Sequence, residues 1–240
     1  MLNQFSRTEL LIGTEGVQRL KAAKVAVFGV GGVGGYTVEA LARSGVGALD
    51  LFDNDTFCLT NLNRQLHATH KTLGQYKVDA VRERVLDINP EAKVGAFRTF
   101  YLPETAEQVD LAQYDYVVDA IDTIAGKIEL AVRCYEEKIP FMASMGAGNK
   151  LEAAKLEVAD LFDTSVCPLA KVMRYELKRR GIGRGIKVVY SREVPIVPTV
   201  GEGREAEQTH RRQLPGSTAF VPAAAGLIIA GEAIRDLSRR

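Results

Sequence analysis

Residues 24–34 read KVAVFGVGGVG, and the fold of the whole chain can be predicted from this stretch. The apolar run at 25–28 is typical of a buried parallel strand, and the pattern at 36–43 predicts an amphipathic helix. Between them lie Gly29, Gly31, Gly32 and Gly34. Glycines let the backbone turn tightly and approach a phosphate, which the N–H groups at the start of the next helix can bind. Strand, glycine turn and helix together predict a nucleotide-binding fold; a glycine-rich turn without a ligand is the alternative.

The composition is that of an ordinary globular protein without a strong overall charge. The 240 residues are 46% hydrophobic and 25% charged, with a formal net charge of +1. No apolar run approaches the roughly 20 residues of a membrane span, and the first residues lack the apolar core of a signal peptide. We therefore expect a cytoplasmic protein. The three cysteines are far apart and form no C-x-x-C pair, which argues against a cysteine zinc site and a disulfide framework.

Strand and helix patterns alternate along the first two thirds of the chain. Strands are predicted at 48–53, 93–97, 114–121 and 140–145, and helices at 78–88, 103–111 and 125–137. This alternation predicts an α/β fold with a doubly wound, mostly parallel, Rossmann-like sheet. The remainder predicts a C-terminal extension with strands at 155–160 and 186–190, helices at 170–180 and 223–234, and a polar loop at 200–213.

We interpret residues 1–240 as a single domain with three parts. These are a helical arm at 1–23, a nucleotide-binding core at 24–150, and a substrate-binding and dimerisation part at 151–240. The arm contains Arg7, which periodicity alone would assign to a solvated helix surface.

Asp53 ends the second predicted strand, 19 positions after Gly34. A dinucleotide-binding fold places there the carboxylate that binds the ribose hydroxyls, so Asp53 is the expected ribose ligand. An aspartate that only caps a strand end is the alternative. Up to this point a nicotinamide-dependent dehydrogenase fits equally well.

A long polar connection at residues 54–70 then replaces the helix that a plain dinucleotide fold would have. It carries Asn61, Arg64 and Gln65, and Lys77 follows at the start of the next helix. Each side chain alone is more simply explained as structural or solvated. Because open α/β sheets bind ligands at the edge where their strands end, the group predicts a clamp for a triphosphate.

Two carboxylates, Asp119 and Asp122, close the fourth strand of the predicted core. Carboxylates at this position could hold Mg²⁺ together with phosphate oxygens. Successive strand residues point to opposite faces, so the two need not share a role. Asp122 lies just past the strand and is the better metal candidate.

Two features of the second half have a simple and a functional interpretation. Residues 171–192 contain eight basic residues and one acidic residue, either a solvated face or a surface for a phosphate backbone. Cys167 precedes a predicted helix, where the pKa of a thiol can be lowered. We favour a buried structural cysteine and leave a thioester or persulfide role as the alternative.

The first half of the chain resembles the adenylating (E1-like, ThiF) family, which includes the ubiquitin-activating enzymes and the bacterial enzymes that adenylate sulfur-carrier proteins. The resemblance covers residues 5 to about 125 and rests on Arg7, the glycine turn, Asp53-x-Asp55, Asn61-x-Asn63-Arg64-Gln65, Gly74-x-x-Lys77 and Asp119-Ala-Ile-Asp122.

The resemblance implies a role for each of these positions. The glycine turn, Asp53 and Asp55 would belong to the ATP site, and Asp122 would hold Mg²⁺. The phosphates would be contacted by Asn61, Arg64, Gln65 and Lys77. Arg7 would reach the phosphates from the other subunit of a homodimer.

The second half resembles the tRNA threonylcarbamoyladenosine dehydratases, through residues 160–174 and 216–226. This implies ATP-dependent cyclising dehydration of N6-threonylcarbamoyladenosine at position 37 of tRNA through an acyl adenylate, with a hydantoin or an oxazolone as product. A sulfur-relay partner is a further possibility. The alternatives are an adenylyltransferase acting on the C-terminal Gly-Gly of a sulfur-carrier or ubiquitin-like protein, and an NAD-binding oxidoreductase. Two C-x-x-C zinc pairs are common in the sulfur-carrier enzymes and are absent from this sequence.

Overall fold

The computed structural model describes residues 2–198 and 215–239, and its centre is one seven-stranded sheet. The strands are β1 Lys24–Phe28, β2 Ala48–Phe52, β3 Lys93–Phe97, β4 Tyr116–Asp119, β5 Phe141–Ser144, β6 Leu156–Asp160 and β7 Lys187–Ser191. Their order is β3-β2-β1-β4-β5-β7-β6, and all pairs are parallel except β6 with β7. We call the edge where the six parallel strands end the carboxyl edge, and the opposite one the amino edge.

Six α-helices within the described residues cover both faces of the sheet. They are α1 Ser6–Ala22, α2 Gly34–Arg43, α3 Lys77–Ile88, α4 Ile124–Glu136, α5 Pro168–Arg179 and α6 Phe220–Ser238. Along β1, Val25 and Val27 face a core shared with α2, α3 and α6, while Ala26 and Phe28 face a core shared with α4. The prediction of a doubly wound, mostly parallel α/β fold is therefore confirmed, and strands from both halves of the chain join the same sheet.

The last helix packs against the first part of the chain. Thr37 of α2 donates a hydrogen bond from Oγ1 to the carbonyl of Gly226, at 3.0 Å. A Cβ at Gly226 would lie 2.3 Å from the carbonyl oxygen of Val33, so only glycine permits this approach. Ile229 and Ala233 are buried in the same core as the valines of β1. Residues of α6 therefore complete the hydrophobic core that β1 and α2 share.

The N-terminal arm folds as two helical pieces joined at Gly13, which has a φ of 74° inside α1. The ring of Phe5 packs on Gly45, which lies just before β2 begins, and Gln4 contacts Asn89 just before β3. The start of the arm is therefore held at the amino edge of the sheet.

Two predicted elements differ from the structure, and one lies outside it. In place of a helix at 103–111 there are two 3₁₀ turns, Pro103–Gln108 and Leu111–Gln113. The first begins where Leu102 N–H donates to Thr105 Oγ1, and the second where Ala112 N–H donates to the Asp110 carboxylate. The fourth strand is shorter than predicted and ends at Asp119. The predicted loop at 200–213 lies outside the described residues. Among the described helices, none is both long and apolar enough to span a membrane.

Candidate nucleotide-binding site

The glycine turn joins β1 to α2 at the carboxyl edge. Gly29 has a φ of 82°, a left-handed conformation that favours glycine, and its N–H donates to the carbonyl of Phe52 at 2.7 Å. A Cβ at Gly34 would lie 1.7 Å from the carbonyl oxygen of Gly29. The chain therefore closes on itself at the start of α2 and leaves the first N–H groups of that helix facing the turn.

Asp53 connects this turn to the next strand. Its Oδ2 accepts the N–H of Val30 and its Oδ1 accepts the N–H of Asp55, both at 2.9 Å. Burial raises the pKa of the Asp53 carboxyl, and the nearby Lys77 ammonium opposes that change. The carboxylate is thus oriented by backbone donors at the position where a dinucleotide fold binds ribose, with lone pairs left for a ligand.

The polar connection brings Arg64 and Gln65 next to the glycine turn. Gln65 Nε2 lies 3.5 Å from the point that a Cβ on Gly31 would occupy, and Arg64 Cγ lies 3.5 Å from the corresponding point on Gly32. The Arg64 guanidinium donates to the carbonyl of Thr60 at 2.8 Å and makes no ion pair with a carboxylate of the described residues. Its positive charge therefore remains uncompensated beside the turn.

Asn61 and Lys77 are tied into this region by their own partners. The side-chain oxygen of Asn61 accepts the N–H of Cys58 at 3.2 Å, which shapes the polar connection from inside. Lys77 Nζ lies 2.7 Å from Asp55 Oδ2 and is largely buried, while the Asp55 side chain is 62% exposed. An incoming phosphate would meet the Lys77 ammonium with an exposed counter-ion beside it.

Asp119 and Asp122 have separate environments, as the alternation of strand residues predicts. Asp119 is fully buried, with Oδ2 2.9 Å from Lys127 Nζ, and burial raises its pKa against the effect of that lysine. Asp122 is exposed and forms no ion pair or hydrogen bond with its side chain among the described residues. A single unpaired carboxylate beside the glycine turn is a residue type that could hold Mg²⁺, which nucleotide sites bind by one or two carboxylates and phosphate oxygens.

Arg7 is the one predicted site residue that the structure does not bring to the carboxyl edge. It lies two positions after Phe5, which packs at the amino edge, so about the length of a strand, roughly 16 Å, separates it from the glycine turn of its own chain. It is exposed and has no side-chain partner among the described residues.

A segment from the second half of the chain borders the site. Asn63 Nδ2 donates to the carbonyl of Ser217 at 2.9 Å, and Gly216 N–H donates to Asn149 Oδ1 at 2.6 Å. The Oγ1 of Thr218 and the Oε1 of Gln65 are buried without a hydrogen-bond partner among the described residues. Buried polar groups are almost always satisfied, so these atoms indicate a place for a polar ligand.

Sequence analysis missed a charged cluster behind the glycine turn. Glu39 of α2 accepts hydrogen bonds from Arg43 and Arg84, and His67 Nε2 lies 3.6 Å from its Oε2. Burial alone would raise the pKa of Glu39, but together His67, Arg84 and Arg43 hold that pKa well below its usual range. The His67 ring also packs on Gly35, so the cluster supports the start of α2.

Most basic residues at 171–192 have ion-pair or hydrogen-bond partners within the folded chain. Arg174 donates to backbone and hydroxyl groups of Thr164, Arg180 pairs with Glu176, and Arg184 pairs with Asp163. Lys171 and Lys178 of α5 remain exposed without an ion pair among the described residues. The two lysines without an ion pair therefore lie on one face of α5, and the surface for a phosphate backbone stays a prediction.

Cys167 is buried, with 2% of its surface exposed, and it directly precedes α5. Its burial agrees with the structural interpretation.

Fold and geometry define the class of protein: a doubly wound α/β protein whose glycine turn, Asp53 carboxylate and cationic polar connection meet at the carboxyl edge. The sequence model of the ThiF family matches residues 5–240, and the chain belongs to that family.

Individual relatives agree with this assignment. A tRNA threonylcarbamoyladenosine dehydratase of Bacillus subtilis is 49% identical over 99% of this chain and 95% of its own length. The crystal structure of the tRNA N6-threonylcarbamoyladenosine dehydratase of Escherichia coli in complex with ATP matches with a TM-score of 0.89 at 33% identity, over 98% of this chain and 94% of that one. Its complex with AMP matches with the same TM-score at 34% identity and the same coverage.

Proposed function

We propose that this chain is an ATP-dependent tRNA threonylcarbamoyladenosine dehydratase, which cyclises the modified base at position 37 of tRNA through an acyl adenylate. The observation that carries the proposal is the convergence of the glycine turn, Asp53, Arg64 and Lys77 at one edge of the sheet. The similarity to named dehydratases over almost the full chain supports the choice of substrate.

The geometry supports carboxylate adenylation. The α2 N-terminus and the glycine turn would hold the phosphates of ATP, and Asp53 would hold its ribose. The threonine carboxylate of the modified base attacks the α-phosphate, and pyrophosphate leaves. Arg64 and Lys77 stabilise the charge that develops on the phosphate oxygens, which is the main contribution a protein makes to phosphate chemistry.

The second step requires no nucleophile from the protein. A nitrogen or oxygen of the same modified base attacks the acyl carbon, AMP leaves, and the net change is loss of water. Because both reacting groups belong to one molecule, their effective concentration is already high. This fits the burial of Cys167, which leaves its thiol without access to solvent.

Mg²⁺ bound at Asp122 would neutralise phosphate charge during the first step. The chain's own contribution is an exposed carboxylate, directly after the buried strand end at Asp119.

We propose further that Arg7 acts in trans within a homodimer. Its placement toward the amino edge argues against a role in its own chain's site, and the neighbouring Leu10 and Leu11 are 86% and 87% exposed, which suits a protein contact. A one-to-one mixture of Arg7→Ala and Asp122→Ala proteins tests this. Half of the dimers would be mixed, each with one intact site, so about a quarter of wild-type activity should return. No recovery after verified subunit exchange would refute action in trans.

The exposed face of α5 is our candidate for the tRNA backbone contact. Lys171, Tyr175 and Lys178 lie at helical spacing on this face, and Leu169 at its start packs near Gly146, just past the carboxyl end of β5. The double variant Lys171→Ala/Lys178→Ala should lower the slope of log K against log salt for tRNA binding by about 1–2. Arg184→Ala, whose charge is already paired with Asp163, is the matched control and should leave the slope unchanged.

The proposed function is tested by mass spectrometry of nucleosides from threonylcarbamoyl-modified tRNA, after incubation with the protein, ATP and Mg²⁺. We expect the modified adenosine to lose one water, and Asp122→Ala to abolish this change. An unchanged nucleoside in the presence of protein that binds ATP would refute the dehydratase and favour adenylation of a protein C-terminus. Protection by NAD and not by ATP in a thermal melt would favour an oxidoreductase instead.

A further inference from the structure

Lys127 of α4 is a fully buried cation that no step of the proposed reaction uses. Its Nζ lies 2.9 Å from Asp119 Oδ2 and donates to the carbonyl of Ile121 at 3.1 Å. The other oxygen of Asp119 accepts the N–H of Ile121, also at 3.1 Å. The N–H and the carbonyl of Ile121 are therefore both bound by this one buried ion pair.

Stability alone does not explain such a pair. Removing two charges from water is costly, and apolar residues of similar volume often replace a buried ion pair without loss of stability. Lys127 also takes a place in the buried stripe of α4, one turn from Leu130 and Ala131. What an apolar pair could not supply is the binding of both polar groups of the Ile121 peptide backbone.

The backbone held in this way lies between the glycine turn and the metal candidate. Ala120 N–H donates to Phe28 at the end of β1, and the carbonyl oxygen of Ala120 lies 2.7 Å from the point that a Cβ on Gly29 would occupy. The next residue after Ile121 is Asp122, whose side chain is exposed. Any rotation of the backbone on either side of Ile121 would move Asp122 relative to the glycine turn.

We propose that Lys127 is a positioning residue: with Asp119 it fixes the peptide of Ile121, and this holds the Asp122 carboxylate at the distance from the glycine turn that Mg²⁺ and phosphate require. The inference rests on the proposed role of Asp122. Lys127 itself contacts neither nucleotide nor metal, because its side chain is completely buried.

Two variants separate positioning from folding. Asp119→Asn/Lys127→Met removes both buried charges and keeps an acceptor for Ile121 N–H. Lys127→Gln keeps a donor for Asp119, but its side chain is too short to reach the carbonyl of Ile121 as well. If the double variant does not fold, Lys127→Gln alone tests whether Lys127 positions Asp122. The control is Lys24→Gln, which removes the lysine of an ion pair with Asp50, 2.9 Å away at the amino edge.

The first readout is the Mg²⁺ concentration that gives half of the thermal stabilisation by ATP. We expect it to rise about 10-fold or more in both variants, the usual effect of losing a group that orients a metal ligand, while ATP binding in EDTA stays within about twofold of wild type. The second readout is hydrogen exchange of the amides at 121–123 without nucleotide, expected to be about 10-fold faster. Lys24→Gln should change neither.

Folded variants with wild-type Mg²⁺ dependence and wild-type exchange would overturn the proposal and leave the pair a structural one. If the wild-type protein shows no response to Mg²⁺ and ATP, the proposed function fails instead. Hydrogen exchange at 121–123 then still tests whether Lys127 orders this segment. Faster exchange in the variants than in the wild-type protein would support that role, and equal exchange would refute it.

Discussion

Substitution by alanine should destabilise the protein strongly at one glycine of the turn and only slightly at another. At Gly34 the new Cβ would lie 1.7 Å from the carbonyl oxygen of Gly29, about half of a normal contact distance, and this oxygen is a backbone atom that cannot rotate away as a flexible side chain can. At Gly31 the nearest atom is the side-chain nitrogen of Gln65, at 3.5 Å, an ordinary contact. We therefore expect Gly34→Ala to cost about 3 kcal/mol or more, the upper range for overpacking, and Gly31→Ala to cost under about 1 kcal/mol.

Thermal unfolding followed by circular dichroism measures this difference. For a chain of this size, about 3 kcal/mol corresponds to a fall in Tm of roughly 6–12 °C. Gly31→Ala should melt close to wild type and yet lose stabilisation by ATP, because its methyl group would take up space where the backbone of the turn is expected to approach the phosphates. Equal melting temperatures for Gly34→Ala and wild type would refute the close approach on which the geometry of the turn depends.

Three further predictions concern the charges and the buried thiol. Glu39→Gln should destabilise the protein by about 1–3 kcal/mol near pH 7. Because the pKa of Glu39 is lowered by folding, this difference should persist above about pH 4.5 and shrink as the pH falls further, which urea unfolding between about pH 7 and pH 3 can follow. Arg64→Ala should reduce AMP formation about 100-fold with little change in Tm, and an unchanged rate would exclude Arg64 from the phosphate site. Cys167→Ala should keep turnover within about twofold while the protein loses about 1–2 kcal/mol, since the buried side chain leaves a small cavity; an abolished turnover in folded protein would restore the thioester hypothesis.

The alternation of apolar runs and helical patterns was enough to predict the sheet, because parallel strands are buried on both faces and leave a strong local signal. The spacing from Gly34 to Asp53 predicted a ribose ligand at the end of β2, and the structure has Asp53 next to the glycine turn, where its Oδ2 accepts the N–H of Val30. Both predictions depend on residues that are close in sequence or at neighbouring strand ends.

Interactions between residues that are distant in sequence could not be predicted from local sequence patterns. The pairing of Arg184 with Asp163, and of Lys187 with Glu232 and Asp236, removes charge that a count along the sequence includes. The 3₁₀ turns at 103–113 begin with side-chain bonds, from Leu102 N–H to Thr105 Oγ1 at the first and from Ala112 N–H to Asp110 Oδ1 at the second. For Lys127 a signal was present: a lysine at a buried position of α4, in step with Leu130 and Cys134, needs a buried partner.

The packing of α6 on α2 sets an order for events during synthesis. The core beside β1 includes Ile229, Ala233 and Leu237, so it stays open to water until nearly the whole chain has left the ribosome. Over that interval the finished strands β1, β2 and β4 would present an apolar face. We expect nascent chains that stop before residue 220 to need a chaperone and to bind no nucleotide, although every residue of the glycine turn has already been made.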